Sequence, residues 1–142
     1  SGFLVILLDT VVVSELRKAQ PDAGVLAFLK GQAPDTVFLS VLTIGEVEAG
    51  IERQRSSNPE SADKLAQWLA VMELQFARSI LPVTPVIAKL WGRLCVQTGN
   101  KGIDNLIAAT ALVHNLTVVT RNVKHFEPTG ARVFNPFSGS PA

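Results

Sequence analysis

Two kinds of segment alternate along the chain. "FLVILL" (Phe3 to Leu8) is an unbroken apolar run that stops at Asp9. A run this short reads as a strand buried on both faces, as inside a parallel sheet. A helix is predicted just past Asp9, fading near Lys18. A second, over "PDAGVLAFLKG", has Pro21 early and Gly31 as its stop. "TVFLS" (Thr36 to Ser40) is the next strand, and "TIGEVEAGIERQR" (Thr43 to about Arg55) the next helix. After "SSNP", Asn58 caps a long helix that begins with Pro59 and runs to about Ala77. Leu65, Leu69, Met72 and Phe76 share one face of it. "SILPV" is a short strand, "PVIAKLWGRLCVQTG" a helix ended by Gly99, and "DNLIAATALVHN" a helix apolar nearly all round, hence buried. "LTVVT" and "ARVFN" read as the last strands. This alternation predicts a three-layer αβα domain of the α/β class, with a central, mainly parallel sheet. One domain spans residues 1–142, without repeats or an internal linker; Ser1-Gly2 reads as a cloning remnant and 138–142 as a patternless tail.

Composition agrees. Hydrophobic residues make up 47% of the 142 and charged residues 18%, which describes a folded chain. The net charge of +1 gives a weak overall field, so nucleic acid could be held only by a local basic patch. The single cysteine, Cys95, forbids an internal disulfide and points to a reducing, cytoplasmic setting; its helical spacing makes it a small core residue. The opening apolar run is far below the ~20 residues of a membrane span, so no membrane association is expected.

In an open α/β sheet, sites form beyond the carboxyl ends of the strands. Asp9 follows the first strand directly. Glu46 lies in the first turn of the helix after the second strand. Asp104 opens the buried helix, and Thr120, Arg121 and Asn122 follow "LTVV". Each has a purely structural alternative. Asp9 and Asp104 could be N-caps, Thr43 and Glu46 a capping box, and Asn122 a turn residue. Together, however, three acids focused on one crevice raise one another's pKa unless a cation neutralises them. All-oxygen ligands suit Mg²⁺ or Mn²⁺. No Cys/His cluster offers a zinc site, and His114 and His125 read as a helix-end and a loop histidine. Arg53, Arg55 and Arg121 could track RNA at the crevice rim, with Arg17 and Lys18 as weaker choices.

"LLDTVVVSELRK", "LSVLTIGEVEAGI", "DNLIAATALVHNLTVVTRN" and "FNPF", in that order, resemble the PIN-domain toxins of type II toxin–antitoxin systems, in the VapC and FitB-like branch. The resemblance runs from Leu7 to about Phe137. It implies a metal-dependent ribonuclease with Asp9, Glu46 and Asp104 as metal-binding acids. Asn122 falls on the fourth catalytic position, often Asp in "TRD", and Thr10 and Thr120 fall at the site's edge. It also implies Mg²⁺ or Mn²⁺ as cofactor, a homodimer, and capture by a cognate, VapB-like antitoxin. Two features depart from the family. Val11 stands where "DTN" has Asn, and "TGNKGID" before Asp104 is a few residues short. A receiver domain would need a Lys after a late strand, and a haloacid-dehalogenase phosphatase an Asp at Val11. The remaining rival is a PIN-fold module, weakened by Val11 and Asn122, that binds RNA or protein without cleaving.

Overall fold

The structure, a computed structural model, describes residues 4–139. Ser1 to Phe3 and the last three residues of the expected tail lie outside the described residues. Five strands form one sheet in the order β3-β2-β1-β4-β5, every neighbouring pair parallel. They are β1 (Ile6–Leu8), β2 (Val37–Ser40), β3 (Ile80–Leu81), β4 (Thr117–Val119) and β5 (Val133–Phe134). The helices are α1 (Thr10–Leu16), α2 (Ala23–Lys30), α3 (Val41–Arg55), α4 (Pro59–Gln75), α5 (Pro85–Thr98), α6 (Ile103–His114) and α7 (Val123–Phe126). Short 3₁₀ turns cover Pro34–Thr36 and Glu127–Thr129.

The opening apolar run is central because it is apolar at every position. Strand side chains alternate between faces, so Ile6 and Leu8 enter one core and Leu7 the other. The first core joins them to Val12 and Val13 of α1, Val25 of α2, Val47 and Ile51 of α3, and Leu69 and Met72 of α4. The second joins Leu7 to Ile87 and Leu94 of α5, Ile107 and Ala108 of α6, and Phe126 of α7. Helices α1 to α4 therefore cover one face and α5 to α7 the other, as the alternation of elements predicts. Burying one such strand side chain contributes roughly 1.5–3 kcal/mol.

Several boundaries move. Helix α1 ends at Leu16, and α2 begins at Ala23 because Asp22, rather than Pro21, caps it by accepting the Val25 amide. Helix α3 begins two residues early, at Val41, where Ser40 Oγ accepts the Leu42 amide. The stripe Leu65, Leu69, Met72 and Phe76 packs into the first core, Leu69 and Met72 buried and Leu65 and Phe76 half-buried. The apolar residues that α4 exposes are Val71 and Leu74. Helix α6 buries one side but leaves Leu112 and Val113 exposed. Cys95 is half-buried on α5, outside both cores.

Candidate active site

Asp9 stands where β1 turns into α1. Its amide donates to the Val119 carbonyl at 2.9 Å, continuing the β1–β4 ladder one step beyond the strand. Its extended backbone (φ −71°, ψ 156°) then makes it the residue before the first helical turn. The carboxylate is 5% exposed. Oδ1 accepts the Thr10 amide at 2.9 Å and Oδ2 the Thr120 hydroxyl at 2.8 Å. Thr120 Oγ1 also accepts the Asn122 amide at 3.0 Å. A hydroxyl has one proton, so the Thr120 proton is committed to Asp9. Among the described residues no Lys, Arg or His forms an ion pair with this carboxylate. Burial raises the Asp9 pKa above the usual carboxylate value. The bonds from Thr120 and Thr10 oppose this, and the negative charges of Asp104 and Glu46 reinforce it.

Glu46 is not part of a capping box, because α3 starts at Val41 and Thr43 lies inside the helix. Its Oε1 instead accepts the hydroxyl of Thr10. The Thr10 and Thr43 hydroxyls lie 3.0 Å apart. Asp104 is not an N-cap either. Gly102 takes that place and Asp104 falls in the first turn of α6, where the helix dipole favours an acid. Its Oδ2 lies 3.1 Å from His125 Nδ1. The loop histidine is thus a residue of α7 beside a site acid, whereas His114 does end α6, exposed. Asn122 precedes α7, and its side chain makes no capping bond.

Two hollows are lined by these neighbouring residues, and Asp9 itself lines neither. On the Glu46 side, a cleft of about 360 Å³ is lined by Thr10, Ser14, Glu46, Arg17 and Arg53. On the Asp104 side, a groove of about 550 Å³ is lined by Arg121, Asn122, Lys124 and His125. Arg17 and Arg53 form no ion pair among the described residues. Arg55 pairs with Glu52 at 2.8 Å and Asp63 at 3.5 Å, and Lys18 with Glu15 at 2.8 Å. The Arg121 guanidinium lies over the Phe137 ring, 3.9 Å from its centroid. Asp104 and Glu46 act on Asp9 through their fields, but the three acids do not form a closed ligand set. Among the described residues, no three His, Cys, Asp or Glu side chains draw together closely enough to hold a metal ion.

A family profile described as "PIN domain" matches residues 6–129. The chain belongs to the PIN-domain family. This PIN domain is 34% identical over 139 residues to the toxin FitB of Neisseria gonorrhoeae, covering 93% of this chain and 98% of that protein. It is 32% identical over 137 residues to the VapC ribonuclease Y4jK of Sinorhizobium fredii, covering 93% and 97%. Among solved structures it resembles a chain of FitAB bound to a DNA fragment, IR36, with a TM-score of 0.82, 33% identity, and 96% and 98% coverage. Sequence reasoning about this PIN domain missed Thr43 and His125. Thr43 was hidden by a plausible capping pattern. His125 was hidden because a four-residue helix such as α7 shows no periodicity.

Proposed function

We propose that this chain is a metal-dependent endoribonuclease and the toxin of a toxin–antitoxin pair. The observation that carries the reading is Asp9. It is a buried carboxylate at the carboxyl end of the central strand, with no ion-paired Lys, Arg or His among the described residues and within the field of two further acids. That arrangement destabilises the fold unless something positive binds there. The similar proteins named a toxin and a VapC ribonuclease supply the context. The donors fit Mg²⁺ or Mn²⁺ in charge and type, being carboxylate oxygens with an amide nearby. Asp9 and Asp104 would hold the ion, with Glu46 at the edge. When bound, the ion supplies a water of lowered pKa and offsets charge growing on the phosphate.

The chain's own residues do the remaining work. Thr120 and the Thr10 amide fix both oxygens of Asp9. Arg17 and Arg53, which form no ion pair among the described residues, hold RNA phosphates along the cleft toward Glu46. Glu46 takes a proton from the water that attacks phosphorus. The P–O ester bond opposite breaks, and its oxygen leaves with a proton from solvent. Asn122 and Thr120 form the wall on the Asp104 side.

Purified protein is incubated with labelled RNA in Mg²⁺, in Mn²⁺ and in chelator. Cleavage with either metal and none with chelator is expected. The absence of a closed ligand set favours one rival, a PIN module that binds without cleaving; retention of intact RNA in every arm would establish it. The toxin reading predicts that expression arrests bacterial growth and that a co-expressed antitoxin relieves the arrest. Harmless expression of the folded chain would overturn it. The homodimer is tested by sedimentation at micromolar concentration, and a monomer there rejects it.

A further inference from the structure

A threonine hydroxyl inside or closing a helix ordinarily bonds back to the carbonyl four residues earlier, as Thr98 does to Leu94 at 2.8 Å and Thr110 to Leu106 at 2.9 Å. Thr43 lies in the first turn of α3, where the residue four earlier is Leu39 of β2, and makes no such bond. It is fully buried on α3, and its hydroxyl meets the Thr10 hydroxyl of α1 instead. Thr10 has one proton and donates it to Glu46 Oε1. The proton between the two threonines must therefore come from Thr43. The chain of donors runs one way, from Thr43 to Thr10 to Glu46. It ties α3 to α1 and returns to α3 three residues beyond its start. With Oε1 occupied, Oε2 is the oxygen of Glu46 without a hydrogen-bond donor among the described residues.

We propose that Thr43 is a positioning residue for Glu46. By fixing the Thr10 proton it holds Oε1 and leaves Oε2 to receive the proton of the attacking water. This rests on the ribonuclease reading. It predicts that the effect of Thr43 passes entirely through Thr10, because Thr43 itself is buried and reaches no substrate.

The test compares Thr43→Val, which keeps the shape and removes the hydroxyl, with Thr43→Ser, which keeps the hydroxyl. Thr43→Ala serves if the Val variant does not fold. The hydroxyl-free variant should lower kcat roughly tenfold with KM unchanged, and its melting temperature should move by no more than about 4 °C. Ser should restore kcat. On a Thr10→Val background, removing the Thr43 hydroxyl should have no further effect on kcat. In metal-free protein, the ¹³C resonance of the Glu46 carboxyl should shift with Thr43→Val and return with Thr43→Ser. Wild-type kcat in the folded hydroxyl-free variant overturns the proposal while leaving the ribonuclease reading intact. So does an equal loss with and without Thr10, or an unmoved Glu46 resonance. If wild-type protein cleaves no RNA, the ribonuclease reading fails instead, and the Glu46 resonance alone decides whether the relay exists.

Discussion

Replacing Asp9 by Asn removes one negative charge and almost no volume. Asn Oδ1 can still accept the Thr10 amide. Its NH₂ then faces Thr120 Oγ1, which can accept but must turn its own proton away. The bond to Thr120 is reversed rather than lost, and the Thr120 proton left unpaired costs about 1 kcal/mol. Against this, the substitution removes a buried charge that lies within the field of Asp104 and Glu46. The two effects oppose each other, so metal-free stability at neutral pH should change by less than about 2 kcal/mol. The sign with pH follows from linkage. A carboxyl whose folded pKa is raised binds its proton more tightly when folded. Wild type therefore gains stability as pH falls toward the unfolded value of 3.8 and loses it as pH rises through the folded value. The Asn variant lacks this dependence, so its melting temperature relative to wild type should climb between pH 4 and pH 7. Metal separates the two further. At ten times its dissociation constant, an ion that binds only the folded state adds about 1.4 kcal/mol, or roughly 3–6 °C for a chain of this size. Wild type should show that rise with Mg²⁺ and the variant should not, while RNA cleavage in the variant should fall by roughly a thousandfold. The assays are a thermal melt across pH, with and without Mg²⁺, and a cleavage time course. Equal Mg²⁺ stabilisation of both proteins, with cleavage retained, would refute the role assigned to Asp9.

Three further outcomes are expected. Asn122→Asp should lower the metal-free melting temperature through added repulsion but steepen its rise with Mg²⁺; parallel curves would make Asn122 a turn residue only. Arg17→Ala and Arg53→Ala should each weaken RNA binding uniformly across sequences and reduce the slope of log affinity against log salt by about 1, whereas Arg55→Ala, already paired to Glu52 and Asp63, should not change it. The Asp22 carboxyl is held down to about 2, first by the Ser138 hydroxyl and then by its amide. Its depressed pKa means that its support for the segment at Pro136–Ser138 is complete above 3.8 and lost as pH falls through about 2. Protection of the Ser138 amide, its exchange rate relative to the intrinsic rate at the same pH, should therefore fall only below pH 4, and Ser138→Ala, which removes the hydroxyl bond but keeps the amide bond to Asp22, should move that step to higher pH.

What was legible in the sequence was what local chemistry dictates. The apolar run at Ile6 to Leu8 fixed the central strand because no polar residue interrupts it. Asn58 with Pro59 marked the start of α4, and Gly99, at φ +73°, its usual role at the end of α5. The positions of Asp9, Glu46 and Asp104 around one sheet edge followed from the order of the elements. The bonds among them did not, because those depend on residues far apart in the chain. Thr10 is 36 residues from Glu46 and 33 from Thr43. The start of α3 was misplaced by two residues because Thr43 and Glu46 make a plausible capping box, whereas Ser40, at the end of β2, caps the helix. The apolar stripe on α4 showed a buried face without saying what buried it, and the answer is the protein's own core.

The sheet order sets a timetable. Strand β1 comes first in the sheet's sequence order yet lies at its centre, and its neighbour β4 follows more than 100 residues later, at Thr117–Val119. The hydroxyl that orients Asp9 belongs to Thr120, 111 residues later. A chain still being synthesised, or one cut short before β4, carries Asp9 and Glu46 without Thr120, Asn122 or the strand that holds them. Closing so distant a pairing is slow and comes late. The acidic centre therefore comes into being only after β4 and Thr120 have been added to the sheet.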